Sequence, residues 1–482
     1  MNYFLLIIDF FKNFSYFENA IIFIPEIFLL LGIAFIIINN VFFDFSNVNH
    51  SINKFCIVFL FIILLLFALL NLENLGFPEL TETLFFYNNL KIIIILCTIF
   101  IFFIAKLNSK MDGLYFVEFH VLCLISILGI FIIFSSKNLF SLYLAIELQM
   151  IPIYFLCKLN KVNNKSSEIL NKFFLTGILS SIIILFGMFL IFSHSSFINF
   201  NDIKSLFISQ TNNEMLIGFN ILLIGIFLKI FLPPFYISLP DLLESFPIPI
   251  GLFIATTSFI SILGIVLLYT FNLMDGDTLN WKIMLLILSI SSIFIGSIGM
   301  FINKNINRFF GNFCIVNFGY ILLAVSLMSE IKVYNIFLFL IIYILLLFGV
   351  FSIFILLKKD GEPIQHLSDL SNLSSSQPFI SLTLLVFLFS MSGIPPFAGF
   401  FSKWLILFSL IENDNFYILF SIMLSSFLVI LSCLKIVKII YFEKSEFEFI
   451  FEKKSWLKFI ILLCLFINFL MFIVISPLVD LF

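Results

Sequence analysis

Apolar runs of about twenty residues recur along the chain and constrain its fold more than any other feature. A run of this length matches an α-helix that crosses the hydrocarbon core of a bilayer. In lipid, backbone polar groups must be satisfied within the protein, which excludes open sheet edges. The sequence therefore predicts an all-α polytopic membrane protein with about fourteen transmembrane helices. The predicted spans lie near residues 20–39, 54–71, 90–107, 118–136, 139–158, 171–193, 216–236, 249–271, 282–302, 309–328, 334–357, 379–409, 415–441 and 456–478.

The composition agrees with a membrane location and excludes several classes of protein. Hydrophobic residues make up 62% of the 482 residues and charged residues 11%, against roughly 45–50% and roughly 25% in soluble domains. A net charge of −3 offers no basic surface for nucleic acid. The seven cysteines are isolated and form no C-x-x-C pair, so we expect no bound metal, haem or iron–sulfur cluster. Soluble enzymes, nucleic-acid binders and secreted disulfide scaffolds are thus excluded.

The residue usage also indicates where the gene resides. The chain contains 73 phenylalanines and a single arginine, Arg308. This bias indicates a strongly AT-rich gene, and organellar genomes are one common source of such genes. Residues 1–30 contain one basic residue, Lys12, whereas imported mitochondrial proteins carry an Arg-rich, acid-poor presequence. We therefore expect an organelle-encoded protein.

A weak internal repeat marks two places where a helix is expected to break. Leu-Pro-Pro-Phe at 232–235 recurs as Ile-Pro-Pro-Phe at 394–397, and Lys-Asn at 137–138 recurs 167 residues later. A proline pair removes two backbone donors and interrupts a helix. A membrane tolerates this only where protein or water satisfies the freed carbonyls, and transporters often have such breaks at matching positions. Residues 229–241 and 392–403 are therefore candidates for a polar pathway, with a packing kink as the alternative.

Four ionisable residues resist interpretation as side chains that reach out to the membrane surface. They are Glu147, Lys172, Lys229 and Lys403. A charge in the bilayer core costs at least roughly 2.5–3.5 kcal/mol, so we expect each to have a partner or a function. A buried lysine is most readily kept neutral or paired with a carboxylate. We expect Glu147 and Lys229 to form a pair that releases a proton when it separates, and a static ion pair is the alternative.

Longer motifs around these residues point to a known family. Residues 392–403 read Ser-Gly-Ile-Pro-Pro-Phe-Ala-Gly-Phe-Phe-Ser-Lys, and residues 144–149 read Leu-Ala-Ile-Glu-Leu-Gln. Together with Pro-Glu-Ile-Phe-Leu at 25–29 and the pair Asp241 and Glu244, they resemble the antiporter-like membrane subunits of respiratory complex I. The resemblance covers nearly the whole chain. Within that family it points to the type called NADH dehydrogenase subunit 2 in mitochondria and subunit N in bacteria.

The resemblance implies an architecture and an activity. The chain would be a redox-silent subunit that translocates protons, driven by quinone reduction elsewhere in the complex. Its fold would contain two inverted five-helix repeats, helices 4–8 and 9–13, with helices 7 and 12 broken. The domains would be the first three helices (1–116), the first repeat (117–271), the second repeat (282–441) and a C-terminal helix (456–482).

The resemblance also assigns roles to individual residues. Glu147 and Lys229 would be the ion pair of the first half-channel, Lys172 would relay or tune it, and Lys403 would be the exit-side lysine. The residues expected to support the broken helices and the pathway are Pro233, Pro234, Tyr236, Thr256, Thr257, Pro395 and Pro396.

Two departures from the family pattern leave alternatives open. The family usually has a lysine on its eighth helix where this chain has Phe259, and a histidine where it has Tyr236. In one interpretation, water held by Thr256, Thr257 and Tyr236 bridges Lys229 to Lys403. In another, the subunit is structural and does not pump. A cation/proton antiporter of the Mrp type is a third hypothesis, because it would share the fold and the lysines.

Cofactor, partner and location follow from the same resemblance. No cofactor would be bound by this chain, since FMN, iron–sulfur clusters and ubiquinone belong to other subunits of the complex. The expected neighbours are complex I membrane subunits of the subunit 4 and subunit 4L types, with membrane lipids such as cardiolipin and no nucleic acid. The expected location is the mitochondrial inner membrane, which the chain would cross many times.

Overall fold

The structure of the chain is a computed structural model, which describes most of its 482 residues. The described residues are 23–42, 49–73, 81–107, 115–159, 164–209, 213–229, 238–273, 279–327, 333–359, 362–412, 414–443, 449–451 and 455–479.

Eighteen α-helices account for nearly all of these described residues. They are α1 (Ile24–Phe42), α2 (Asn49–Glu73), α3 (Thr81–Leu107), α4 (Tyr115–Ser135), α5 (Leu139–Lys158), α6 (Asn164–Ser195), α7 (Phe200–Ser209), α8 (Asn213–Lys229), α9 (Ser238–Ser245), α10 (Ile248–Leu273), α11 (Leu279–Ile302), α12 (Ile306–Ser326), α13 (Val333–Leu356), α14 (Leu373–Ser376), α15 (Pro378–Ser392), α16 (Ala398–Glu412), α17 (Phe416–Phe442) and α18 (Ser455–Val479). A 3₁₀ helix covers Leu367–Leu370.

The helices confirm the membrane fold class that the apolar runs predicted. Each predicted span overlaps a helix, and the span 379–409 is divided between α15 and α16. Within the described residues, ten helices are long and apolar enough to cross a membrane, and α1, α15 and α18 contain shorter apolar segments. The agreement arises because a run of this length and apolarity has no other stable conformation in lipid.

The chain divides into two compact units. One comprises Met1–Leu159 with Ile198–Phe200, and the other comprises Asn160–Phe197 with Asn201–Phe482. The predicted repeat boundaries, 117–271 and 282–441, stay a prediction.

A short backbone motif occurs once in each unit. In the first unit Asn138 pairs with Asn199, and in the second Asn305 pairs with His366. In the first unit the Phe200 amide donates to the Lys137 carbonyl at 3.1 Å. In the second unit the corresponding bond joins the Leu367 amide to the Lys304 carbonyl at 2.8 Å. The positions of both partners are offset by 167 residues, although Asn199 is replaced by His366 in the second pair. The sequence repeat of Lys-Asn is therefore accompanied by a repeat of the backbone pairing.

Among the described residues, three short strands lie between predicted spans, with Leu357 at the end of one span. They form one antiparallel sheet in the order β2-β1-β3, with β1 at Leu357–Lys359, β2 at Glu362–Pro363 and β3 at Phe449–Phe451. Lys358 is central and faces Pro363 on one side and Ile450 on the other.

Burial differs sharply among the helices of the second unit. The apolar segments of α10 and α12 are wholly buried, whereas only 28% of the corresponding segments of α6 and α17 is buried. A helix that is apolar all round lies inside a protein or in lipid. Large exposed side chains such as Phe189 on α6 and Phe420 on α17 are therefore expected to face lipid or another membrane chain.

Candidate functional site

The predicted helix break at the second proline pair is present. Helix α15 ends at Ser392, and α16 begins at Ala398. Gly393 follows α15 in the left-handed region at φ 81°, and its amide donates to the carbonyls of Phe389 and Ser390. Glycine is favoured at this position because it has no Cβ to strain a positive φ. Pro395 and Pro396, joined by a cis peptide bond, follow it and supply no backbone donor to continue the helix.

Two buried polar side chains bind the start of α16. The Ala398 amide donates to Asn468 Oδ1 at 3.1 Å, and the Gly399 amide donates to Ser390 Oγ at 3.1 Å. Ser390 Oγ in turn donates to Asn468 Oδ1 at 3.2 Å. A Cβ at position 399 would lie 1.8 Å from the Ser390 carbonyl oxygen, so only glycine fits there. These contacts satisfy amides that a helix N-terminus otherwise leaves unpaired.

Lys403 lies one turn further along α16 and points back at the break. Its side chain is buried, with 7% of the residue exposed, and Nζ donates to the Met391 carbonyl at 2.7 Å. Nζ also lies 5.5 Å from the centre of the Tyr320 ring, within the range of a cation–π contact. Among the described residues, no carboxylate forms an ion pair with it.

Lys229 is the last residue of α8 and is 2% exposed. A cation at a helix C-terminus is favoured by the partial negative charge of the terminal carbonyls. The first predicted break follows directly, but Pro233, Pro234 and Tyr236 lie outside the described residues. Their proposed support of the pathway stays a prediction.

Glu147 lies in the middle of α5 and is half-buried. Tyr143, one turn earlier, shares a side-chain hydrogen bond with it, and Tyr154 lies close enough to interact electrostatically. Glu147 belongs to the first compact unit and Lys229 to the second. The pairing of Glu147 with Lys229 therefore stays a prediction.

Lys172 has a different environment from the other predicted site residues. Its side chain is 62% exposed, and Nζ lies 2.6 Å from Glu168 one turn earlier on α6. Asp241 also attracts it electrostatically. The structure thus places Lys172 on the surface of this chain, close to acidic groups, and its role as a relay stays a prediction.

An aromatic cluster surrounds Phe259, the position for which the resemblance implies a lysine. Phe259 on α10 is 1% exposed. Its ring stacks on Tyr343 with centroids 4.0 Å apart and lies 4.9 Å from Phe318. The hydroxyls of Thr256 and Thr257 donate to backbone carbonyls of the preceding turn at 2.8 and 2.5 Å. Both threonines thus retain lone pairs that accept a hydrogen bond, while their protons are already used.

Two charged clusters were not predicted as sites from the sequence. Arg308 at the start of α12 binds Asp241 Oδ1 at 2.8 Å and also binds Glu244, both on α9. In the first unit, Lys91 Nζ lies 2.5 Å from Glu26 Oε1 and both are buried. The spacing of Asp241 and Glu244 on one helix face was a signal for the first cluster. For the second cluster the signal was Glu26, which lies inside the predicted span 20–39, whereas Lys91 lies at the start of the span 90–107.

Comparisons with known proteins agree with this arrangement. The family described as NADH:quinone oxidoreductase/Mrp antiporter, TM, matches residues 136–474. A relative from Pelagibacter ubique, named NADH-quinone oxidoreductase subunit N, is 31% identical over 449 residues, which are 92% of this chain and 93% of the relative. A subunit N 1 from Rhizobium meliloti is 30% identical over 69% of this chain and 70% of its own length. The chain therefore belongs to the NADH:quinone oxidoreductase/Mrp antiporter membrane family.

Solved structures show the same fold at low sequence identity. A chain of respiratory complex I from Thermus thermophilus matches with a TM-score of 0.75 at 18% identity, covering 93% of this chain and 97% of that one. A chain of an archaeal membrane-bound sulfane sulfur reductase gives 0.80 at 17% identity, covering 95% and 96%. A chain of the Mrp complex from Dietzia gives 0.69 at 17%, covering 88% and 80%.

Proposed function

We propose that this chain is the N-type antiporter-like membrane subunit of respiratory complex I and that it translocates protons. Its similarity to subunits of NADH-quinone oxidoreductase over nine-tenths of its length supports membership in that enzyme complex. No redox chemistry is assigned to the chain itself, and no cofactor is proposed to bind it. Within the described residues, no group of three or more histidines, cysteines or carboxylates is arranged to hold a metal ion.

The observation that carries the proposal is the environment of Lys403. The lysine is buried at a helix break and contacts a neutral carbonyl and an aromatic ring, and among the described residues no carboxylate forms an ion pair with it. A nearby carboxylate would favour the charged form and hold the proton. Without one, the proton is held by contacts that are weaker than an ion pair. After proton loss the neutral amine can still donate to the Met391 carbonyl, whose second lone pair can accept a hydrogen bond from water.

Lys229 is proposed as the earlier proton site on the same pathway. It ends α8 in a buried position, where a charge is unfavourable unless it is paired or serves a function. Glu147 is proposed as the carboxylate that stabilises protonated Lys229 in one state and separates from Lys229 in the other. Lys172 is proposed to tune that pair from outside, because it lies beside Glu168 and near Asp241.

A second candidate function is a structural subunit of the same complex that does not pump. The stacked rings of Phe259 and Tyr343 favour it, because they place apolar surface where the family usually has a titratable lysine. Proton transfer past them would require water held by hydroxyls such as those of Thr256 and Thr257, whose oxygens accept hydrogen bonds. The Mrp-type antiporter hypothesis is supported by the family match, which includes Mrp antiporters, and by a shared fold.

Location and partners are proposed at finer detail than similarity shows. The chain is a multi-pass membrane protein of a respiratory complex, and its neighbours are other membrane subunits, for which the subunit 4 and subunit 4L types are proposed. The mitochondrial inner membrane is proposed because the gene is inferred to be AT-rich, from 73 phenylalanines and a single arginine. Cardiolipin is proposed as a lipid between subunits. The relatives named above are bacterial, so subcellular fractionation has to decide between organelle and plasma membrane.

Membership is tested by a native gel of gently solubilised membranes, stained for NADH oxidation and analysed by mass spectrometry. Peptides of this chain in the active band, together with hydrophilic NADH dehydrogenase subunits, are expected. A chain that migrates apart from NADH activity would support the antiporter hypothesis.

Pumping is tested by Lys229→Ala in the assembled complex. The protons moved per electron should fall while quinone reduction continues, because removing a positioned proton carrier slows transfer by about 10²–10⁴-fold. An unchanged stoichiometry in a fully assembled complex would support the structural alternative.

A further inference from the structure

We propose that Asn468 on the C-terminal helix α18 is a positioning residue for Lys403. It acts through the start of α16, which it holds by a side-chain hydrogen bond. This inference rests on the proposed proton-transfer role of Lys403, and nothing in the sequence motifs around the break involves α18. The C-terminal helix would thus take part in the function as well as in packing.

Asn468 is a buried polar residue in an otherwise apolar segment. It is 4% exposed, and its neighbours in sequence are Ile467 and Phe469. Burying an amide is unfavourable unless it forms hydrogen bonds. The Oδ1 atom accepts two, from the Ala398 amide at 3.1 Å and from Ser390 Oγ at 3.2 Å. Both partners belong to the break between α15 and α16, so the polar contacts of Oδ1 are directed at that break.

The bond to Ala398 acts as a helix N-cap supplied by another helix. Proline occupies positions 395 and 396, and the residue before Ala398 is Phe397, which has no side-chain acceptor. Asparagine is among the most favourable N-cap residues because its oxygen accepts from amides of the first turn. Here Asn468 supplies that oxygen, and Ser390 supplies the acceptor for the next amide, Gly399.

The cap determines the direction in which Lys403 points. Lys403 lies five residues after Ala398, so its direction follows from where the helix begins and how its first turn is oriented. Each residue rotates an α-helix by about 100°, so a shift of the helix by one residue would turn Lys403 away from the Met391 carbonyl. The 2.7 Å bond from Lys403 Nζ to that carbonyl thus depends on a fixed first turn.

The two ends of the break are therefore joined by two cross-links. Ser390 binds Gly399, and Met391 binds Lys403. Asn468 contacts the first cross-link and not the second. This separation makes the role of Asn468 testable. Removing Asn468 should weaken the hydrogen bonds at the start of α16 directly, and it should affect Lys403 only indirectly, through the orientation of that helix.

The test compares Asn468→Leu with Asn468→Asp in the assembled complex. Leucine has the same branching and the same number of side-chain heavy atoms as asparagine but no acceptor, whereas aspartate retains an oxygen that caps a helix N-terminus. The first readout is amide hydrogen exchange of residues 398–403 by mass spectrometry. Loss of the cap should speed exchange about fivefold, and Asn468→Asp should restore slow exchange.

The second readout is the number of protons moved per electron in sealed vesicles, with Lys403→Met as the reference. Asn468→Leu is expected to lower this ratio in the same direction as Lys403→Met, whereas Asn468→Asp is used for the exchange readout alone, because a carboxylate beside the break would itself favour the charged lysine. Cys464→Ala, one turn earlier on the same buried face, is the matched control for packing and should leave both readouts near those of the parent chain.

Each outcome decides the inference separately from the proposed function. Unchanged exchange in Asn468→Leu would overturn it, and so would faster exchange with an unchanged ratio while Lys403→Met lowers that ratio. If Lys403→Met itself leaves the ratio unchanged, the proposed function fails and the positioning role fails with it. Should Asn468→Leu not assemble, Asn468→Ala removes the same acceptor without adding volume and is judged by the same two readouts.

Discussion

Two buried lysines of this chain are held in different ways. Lys91 on α3 forms an ion pair with Glu26 at 2.5 Å, and its ammonium lies 5.6 and 5.7 Å from the rings of Phe67 and Phe131. Lys403 on α16 donates to a backbone carbonyl and faces the Tyr320 ring. Both side chains are almost fully buried. The difference is that one has a carboxylate as its partner and the other, among the described residues, does not.

The comparison separates a structural charge from a mobile proton. A carboxylate in contact stabilises the ammonium and makes loss of its proton unfavourable. A carbonyl and a ring orient the ammonium without a negative charge to hold the proton. We therefore interpret Lys91 as a residue that fixes how α1 and α3 pack, and Lys403 as one that exchanges its proton.

The largest expected effect comes from removing Lys91. In Lys91→Met the Glu26 carboxylate is left buried without its partner, which costs about 3–5 kcal/mol. We expect little assembled complex, measured as the intensity of the complex I band on a native gel.

The matched control is the double variant Glu26→Gln with Lys91→Met, which removes both charges. Replacing a buried pair by neutral residues is often close to neutral in stability, so assembly should largely recover. A double variant that assembles no better than Lys91→Met would mean that the pair is not the source of the defect.

A smaller effect is expected at the aromatic cluster around Phe259. Phe259→Leu removes stacking on Tyr343, and an aromatic pair contributes about 0.5–1.5 kcal/mol beyond its buried area. We expect a slightly lower midpoint of thermal inactivation of NADH oxidation, with the proton-to-electron ratio retained. A raised ratio would show that the ring obstructs proton transfer in the parent chain, which would strengthen the structural alternative.

Arg308→Lys tests a charge that is neither buried nor isolated. Lysine retains the charge but cannot bind Asp241 and Glu244 with a planar fork. The ion pairs of Arg308 are part-exposed, so the loss of stability should be below about 1 kcal/mol. The midpoint of thermal inactivation should fall slightly in Arg308→Lys and further in Arg308→Gln, which also removes the charge. No shift in Arg308→Lys would show that fork geometry is unimportant, whereas equal shifts in the two variants would show that the charge contributes nothing without the fork.

The smallest effect on assembly is expected for Lys172→Ala. Its pair with Glu168 is on the surface of the chain and joins neighbouring turns of one helix, and pairs of this kind contribute little to stability. The amount of assembled complex should match the parent. A lowered proton-to-electron ratio at full assembly would identify Lys172 as a tuning residue, and an unchanged ratio would remove it from the pathway.

The sequence predicted the helices and the second break because those features are local. Apolar length determines a spanning helix, and the proline pair at 395–396 determines where α15 and α16 separate. Lys403 was predicted for the same reason, since it follows that break directly. These predictions required no knowledge of which helices are neighbours.

The contacts that hold the site could not be predicted because they join distant residues. Asn468 is 70 residues from Ala398, and Glu26 is 65 residues from Lys91. Lys91 also escaped notice because α3 begins at Thr81, nine residues before the predicted span. That earlier start places Lys91 well inside the helix instead of at its end.

The central claim is that Lys403 exchanges its proton during turnover, and Lys403→Met tests it most directly. The measurement is protons moved per electron in sealed vesicles that contain the assembled complex. The matched control is Lys435→Met, because Lys435 is exposed yet also contacts a carbonyl and a ring, those of Phe301, at 3.5 and 5.7 Å. A lower ratio in Lys403→Met, with quinone reduction retained and Lys435→Met unchanged, is the predicted result. An unchanged ratio in a fully assembled Lys403→Met complex would contradict the account.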